Sequence, residues 1–567
     1  MDHLSHTLKG MPDEQVANLL PIGTVALAQM FPVLQRVTAV ASASSQGSAL
    51  EGQELRHQAF TALRELLREM TRLRPLALWV DDLQWGDLDS AELLASLLQG
   101  SEPPPFFFLL SYRGEDVDTS TCLRTLFPML DQNTLVHRQE VPVEPLTPAE
   151  AMELAQQLLG PTADMKQAER IARESSGNPY FIHELVLHAQ AGDDTCVTAG
   201  ELDDVIWSRV CRLPDPARAL LEVLAVAGQP LQQAVAWQTS NLAGDERRSM
   251  GLLRAQNLVR SNGPRPEDEV ETFHDRIRES IRAWLPRDVS RRHHEQLAQT
   301  LERIPGTAPE RLASHFAEAG QRSRAAIYFA QAGESAAKAL AFELAATLFR
   351  QALEHGPADE ATASLWQQQL GEALANAGRG AEAAEAYLTA ARAAVGRQAM
   401  RLRGLAGSQL LFAGRTDEGL EVLQDVLASA GMKPRVTVVG TLLSLRLHQF
   451  KQWLRGLAFE PRTDADLDED DRLRLDIAWD AARGLSIVDP VRGYELHTRG
   501  MQLALRLGEP NRIARAMAIV GGHMSAEGMG KRPGVLQLLD GAEKLAQQTG
   551  HPRGYPRGSV PGWNYLW

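Results

Sequence analysis

Apolar residues recur at helical spacing through FTALRELLREMTRL, and Pro75 follows after Arg74. The pattern predicts an amphipathic helix broken by that proline. LALWV is a short continuous apolar run, predicted as a strand. SAELLASLLQG is predicted as the next helix, closed by Gly100 at its C-terminal side. PPPFFFLLSYR holds a second fully apolar strand and LVHRQEVPVEPL a third. Strands alternating with helices, each strand continuously apolar, predict a parallel sheet buried on both faces.

From about 146 to 290 the period is mainly helical. TPAEAMELAQQLLG opens with Thr147 as N-cap, Pro148 in the first turn and Glu150 three residues on, a capping box. QAERIARESSGNPYFIHELVLHAQAG reads as a helix, a Gly-Asn-Pro break and a second helix. Within LVRSNGPRPEDEVETFH, Asn262-Gly263 sits near the turn of a predicted hairpin. Helices plus a hairpin over 203–285 is a winged-helix pattern. From about 308 the chain turns rich in Ala, Leu and Gly. AEAGQRSRAAIYFAQAGESA, ANAGRGAEAAEAYLTAARAA and LFAGRTDEGLEVLQDVLASAG are self-similar, each with Ala-Gly at a turn before a helix. Their spacing is close to one, and somewhat under two, repeats of a ~34-residue helical hairpin. Small residues let paired helices approach, so a TPR-like α-solenoid is expected, irregular after about 432. TDADLDEDDRLR reads as a solvated acidic approach to a helix, and GHPRGYPRGSVPGWNYLW drops helical periodicity altogether.

With 567 residues, several domains are expected. A formal net charge of −14 argues against non-specific nucleic-acid binding by the whole chain, so DNA is not an expected partner. Cys122, Cys196 and Cys211 form no metal-ligand spacing and read as buried or semi-buried thiols in a reducing cytosol. MDHLSHTLKGMPDEQ lacks the basic patch and apolar core of a signal peptide. The longest apolar runs, such as FFFLL and VTVVGTLLSL, fall far short of the ~20 residues a bilayer span needs. A cytoplasmic protein with no membrane partner is expected.

The chemistry concentrates at LALWVDDLQWGD. Two acids at the C-terminal tip of a buried strand are what a nucleotide enzyme uses. Asp81 would orient the waters around Mg²⁺, and Asp82 would polarise the attacking water. On the plainer alternative, both acids start a turn and cap the helix beginning near Leu88. Arg113, just beyond the next apolar strand, is placed near a γ-phosphate or is an ordinary surface arginine. In SSGNPYFIHEL, Gly177 and Asn178 would shape a turn and Pro179 would press on an adenine ring, unless they only stop a helix. His274, with Asp275 at a strand-to-helix junction, would reach a β-phosphate or simply cap the helix.

Taken together, DDLQW with Trp85, GNPYF and FHD resemble the regulator-type signal-transduction ATPases with numerous domains, the STAND branch of the AAA+ fold. The resemblance covers about residues 50 to 430. Beyond it, LLSLRLHQFKQWLRGL and GLSIVDPVRGYELHTRGMQLALRLGEPNRIARAMA look like the C-terminal part of large bacterial serine/threonine kinases that carry such a module. The resemblance implies an α/β P-loop NTPase-like fold with a partial parallel sheet, then a winged-helix region and the TPR-like solenoid. The expected boundaries are 1–145 for the ATPase core, 146–200 for a helical lid, 201–305 for the winged helix, 306–432 for TPR-like repeats, 433–550 for further helices and 551–567 for a tail. It also implies ATP or ADP with Mg²⁺ as ligands. ADP would hold a closed form, a signal on the repeats would open it, and ATP would permit assembly with protein partners and with further copies of the chain.

The phosphate-cradling pattern G-x-x-x-x-G-K-[ST] is missing. PIGTVALAQ, ASSQGSAL and GHPRGYPRGSV hold glycines without the Gly-Lys-Ser/Thr end. That loop supplies backbone N–H groups, a lysine and a hydroxyl to the triphosphate. The expectation is therefore a fragment of a longer kinase or transcription regulator, hydrolysis-deficient alone. The alternatives are a pseudo-ATPase that shed its loop and a nucleotide-independent TPR scaffold.

Overall fold

The amphipathic period over FTALRELLREMTRL becomes the helix Gly52–Leu73, whose buried stripe is Leu55, Ala59, Leu63, Leu66 and Met70. It stops just short of Pro75, since the residue before a proline is pushed out of the helical region. The structure is a computed structural model that describes residues 1–549, apart from 45–51, 99–102, 134, 161–163, 191–201, 242–243, 433–434, 436, 464–465 and 527–532. Two compact units divide the chain: Met1–His137 together with Ala330–Trp567, and Arg138–Phe329.

In the first unit, strand β1 (Ala77–Val80) runs parallel to β2 (Phe107–Leu110), with Leu78 opposite Phe108 and Trp79 opposite Leu109. The helices Leu88–Leu98 and Thr121–Asp131 flank them in sequence. Leu78, Val80, Phe108 and Leu110 share one face and pack against buried Leu63, Leu66, Leu123 and Leu126. The opposite face carries Trp79, Phe107 and Leu109, 65%, 66% and 49% exposed. The expected burial on both faces is therefore not found. Among the described residues no helix lies on that second face, and a continuous apolar run does not encode what will cover it. The expected third strand is likewise absent. Residues 139–146 pair with no strand, Val141 and Val143 stand in solvent, and Pro142 and Pro145 each lack the N–H a ladder needs.

Among the described residues, the C-terminal part of the first unit is a run of helices: Phe342–His355, Glu360–Asn376, Gly380–Ala393, Gly396–Phe412, Thr416–Ser429, Val438–Arg455, Glu469–Val488, Pro490–Leu507, Pro510–Met524 and Pro533–Gln548. The Ala-Gly pairs sit where their pattern placed them. Gly378 and Gly414 adopt left-handed φ of 79° and 78° just past a helix end. The amides of Arg379 and Arg415 return to Leu374 and Leu410 carbonyls at 2.9 Å. Such caps reverse the chain and satisfy orphan carbonyls. Close approach also matters: a Cβ on Gly371 would meet the Tyr387 ring at 2.7 Å. The solvated acidic approach is present too, with Asp468 capping Glu469–Val488.

A buried ion pair ties these helices to the front of the chain. Arg56 Nη2 lies 2.8 Å from Asp89 and 2.7 Å from Glu92, and the other Asp89 oxygen accepts the Leu344 amide at 2.9 Å. The Arg56 guanidinium sits over the rings of Phe60 and Phe342.

In the second unit, the capping box forms as expected, with Thr147 and Glu150 reciprocally bonded. Strands β3 (Leu231–Gln232), β4 (Val259–Ser261) and β5 (Glu269–Thr272) make an antiparallel sheet in the order β3-β5-β4. The β4–β5 hairpin is longer-looped than a two-residue Asn-Gly turn. Asn262 N bonds Glu269 O at 3.1 Å, and the Asp268 carboxylate accepts the Arg265 amide. Buried Val205, Ile206, Leu220, Leu221, Ile277 and Ile281 form the core beneath.

Cys122 is a buried thiol, as expected, but Cys211 is exposed. Cys196, Gly100 and the aromatic C-terminal stretch lie outside the described residues. No described helix is long and apolar enough to cross a membrane.

Candidate functional site

The end of β1 is built from three elements of the first unit. After Val80 the chain enters Asp81 and Asp82. Asp82 takes a left-handed φ of 52°, a conformation Asp tolerates better than most residues. The Leu83 amide bonds Ser111 O at 2.9 Å and the Ser111 amide bonds Val80 O at 3.0 Å. The end of β2 therefore holds the turn in place. Ser111 Oγ donates to Asp81 Oδ1, which also accepts the Asp82 amide at 3.2 Å. Gln84 Nε2 donates to Asp82 Oδ1 at 2.8 Å. The same side chain accepts the Arg113 amide at 3.3 Å, and its backbone carbonyl accepts Ser120 Oγ at 2.9 Å. Gln84 is thus a buried strut between Asp82 and the stretch after β2.

Both carboxylates stay exposed. They do not cap the following helix. Asp87 does so, its Oδ1 accepting the Ser90 amide at 2.7 Å. The plainer sequence alternative for Asp81 and Asp82 is thereby removed in its capping half. Trp85 is 65% exposed beside them. Gly86 faces Cys122 so closely that a Cβ would meet its Sγ at 2.7 Å, which holds the turn against the Thr121–Asp131 helix.

Hard oxygen donors gather here: the Asp81 carboxylate and the Ser111 hydroxyl. They suit Mg²⁺, which keeps several of its waters and takes one or two carboxylates plus phosphate. Among the described residues no group of three or more His, Cys, Asp or Glu forms a metal cage, so such an ion would be held through Asp81 and water. When bound it would neutralise phosphate charge.

The remaining candidates lie in the second unit. Gly177 has φ 77°, and a Cβ there would come within 2.3 Å of Leu146 O. Its carbonyl accepts the Leu146 amide at 2.9 Å, pinning the entry to one helix against the start of another. Asn178 caps the helix Pro179–Gln190, its Oδ1 accepting the Phe181 amide at 3.1 Å, with Pro179 at the first helical position. His274 caps Asp275–Trp284, its Nδ1 accepting the Arg276 amide at 3.1 Å. The two motifs meet: the Tyr180 and His274 rings stack with centroids 4.4 Å apart and planes 13° from parallel. Burial, and Glu184 beside it, push the Tyr180 hydroxyl well above its ordinary pKa.

Asp81, Asp82 and Arg113 thus gather in one unit, and Gly177, Asn178, Pro179 and His274 in the other. Ser111, Gln84 and Tyr180 were not singled out in the sequence. Gln84, inside DDLQW, and Tyr180, inside GNPYF, lay in motifs that could have pointed to them; Ser111 carried no such signal. No protein-family model matches the chain, and no curated protein matches it.

Proposed function

We propose that the chain is a regulatory module of the signal-transduction ATPase type. In this reading a nucleotide-dependent switch is coupled to protein–protein interaction through TPR-like repeats. The observation that carries it is the pair of exposed carboxylates at the C-terminal end of a parallel strand, each braced by its own side chain, Ser111 for Asp81 and Gln84 for Asp82. Ligands of open α/β sheets bind at that edge. Asp81 would hold the waters of a magnesium–nucleotide complex, Asp82 would aim the attacking water, and Arg113 would meet the terminal phosphate. Catalysis is a different matter. Phosphoryl transfer depends on positioning and charge neutralisation by the phosphate loop, and the sequence holds no such motif. Hydrolysis by this chain is absent or very slow.

Phosphate release at saturating MgATP tests this reading. The expected rate equals that of the Asp82→Asn variant. A rate that this substitution abolishes would overturn the claim that hydrolysis is lost.

A second reading is a nucleotide-independent scaffold whose repeats bind a protein partner. Its support is that Gly177, Asn178 and His274 all have turn or capping roles, which need no ligand.

A further inference from the structure

The helix Val438–Arg455 lies on the first unit with its amphipathicity reversed. Its buried positions are Thr441, Ser444, Leu445 and Gln452, three of them polar. This inner side is bonded to the helix Pro490–Leu507. Ser444 Oγ donates to Glu495 at 2.7 Å, and Gln449 Nε2 donates to the Tyr494 hydroxyl at 2.8 Å. Gln502 Nε2 donates to His448 O at 2.7 Å, and Arg455 Nη2 to Leu505 O at 3.0 Å. Four bonds along the length fix which side faces out.

The outer side is apolar. Val439, Leu443, Leu447, Phe450, Trp453 and Leu454 are all at least half exposed, Trp453 at 75%. Their three- and four-residue spacing makes one stripe along the helix. The Phe450 and Trp453 rings stack on each other at 5.9 Å. A contiguous patch of this kind on a soluble surface marks an interaction site. Its charge says what kind. Arg446 and Lys451 are exposed beside the stripe, and residues 438–455 contain no Asp or Glu, within a chain of net charge −14.

We infer that this helix docks on an anionic lipid surface, lying in the plane of the interface. The apolar stripe enters the headgroup–acyl boundary while the two cations meet lipid phosphates. The acidic remainder of the chain is repelled by the same surface, which confines attachment to this element. A second copy is disfavoured as the occupant, because it would bring the same cations to the same face. Attachment is peripheral, and it leaves standing that no described helix spans a bilayer. It does not depend on the nucleotide reading.

The test is co-sedimentation of the full chain with phosphatidylglycerol–phosphatidylcholine vesicles at low salt, against pure phosphatidylcholine. Binding is expected to the anionic vesicles only. Replacing both exposed cations, R446Q/K451Q, is expected to lower partitioning by about 25-fold, about fivefold for each charge near the surface. F450Q/W453Q is expected to abolish it. If the apolar variant misfolds, the charge variant, which replaces no residue bonded to the helix Pro490–Leu507, still decides. Failure of the unaltered chain to sediment, or sedimentation that R446Q/K451Q leaves unchanged, would overturn the inference. So would a dimer that F450Q/W453Q dissociates while vesicles bind nothing, since the face would then belong to a second copy.

Discussion

Removing the Asp89 carboxylate should destabilise the first unit out of proportion to its size. Arg56 and Asp89 are only 6% and 7% exposed. Asp89→Ala deletes the 2.8 Å partner of the guanidinium and the 2.9 Å acceptor of the Leu344 amide, where the helix Phe342–His355 begins. Leaving a buried charge without its partner costs about 3–5 kcal/mol. Losing an acceptor at a helix start adds about 1 kcal/mol. Glu92 stays 2.7 Å from Arg56 and offsets part of this, so a net loss of about 3–4 kcal/mol is expected. Burial pushes the Asp89 carboxyl above its ordinary pKa despite the opposing Leu344 amide and Arg56 charge, a sign that desolvation outweighs the pair's attraction. Replacing both members by apolar residues, as in Arg56→Met/Asp89→Leu, should therefore recover most of the loss. Urea unfolding read by far-UV circular dichroism gives the global value, and hydrogen exchange over 342–350 should rise in Asp89→Ala alone. A single variant within about 0.5 kcal/mol of the parent would show that the pair bears no such load.

Three further outcomes follow from the same geometry. His294 and His315 are buried with their Nδ1 atoms 3.0 Å apart, and desolvation above all holds both below the ordinary imidazole value, His294 at about 4. Their neutral forms stabilise the fold fully above pH 6.5, and stability should fall by about 5 kcal/mol, shared about equally by the two, as pH drops from 6.5 toward 4; a urea midpoint flat across that window would contradict this. Gly177→Ala forces a Cβ against Leu146 O at a φ of 77° and should cost more than about 2 kcal/mol in thermal unfolding. Gly228→Ala, at φ 68° with open space around it, should cost only about 1 kcal/mol, and equal costs would dismiss the contact with Leu146. Gln84→Ala should release Asp82 and destabilise by about 1–3 kcal/mol, checked by the same melt; an unchanged melting temperature would remove the strut.

The Asp81–Asp82 tip was legible in the sequence because the acids end a continuous apolar run. The Ala-Gly caps were legible because a helix end that needs a left-handed residue favours glycine. What stayed hidden depends on long-range geometry. Ser111 braces Asp81 from the far end of another strand, and Tyr180 meets His274 only after the hairpin folds back. Asp89 finds Arg56 and Leu344 from distant parts of the chain. The third strand was misread because its apolar residues outweighed Pro142 and Pro145, which lack the donors pairing needs. The bare face of Trp79, Phe107 and Leu109 was misread because apolar composition says nothing of what lies across from it. In Val438–Arg455 the helical period was readable, but which side turns inward was decided by hydrogen bonds to Tyr494, Glu495 and Gln502.

The claim that two braced acids still receive a magnesium–nucleotide complex is tested most directly by calorimetric titration with ATP and ADP, with Mg²⁺ and with chelator, on the parent chain and Asp81→Asn. The account predicts binding that requires Mg²⁺ and disappears in Asp81→Asn. Heat unaffected by that substitution, or no heat from the parent chain with either nucleotide, would contradict it and favour the scaffold reading.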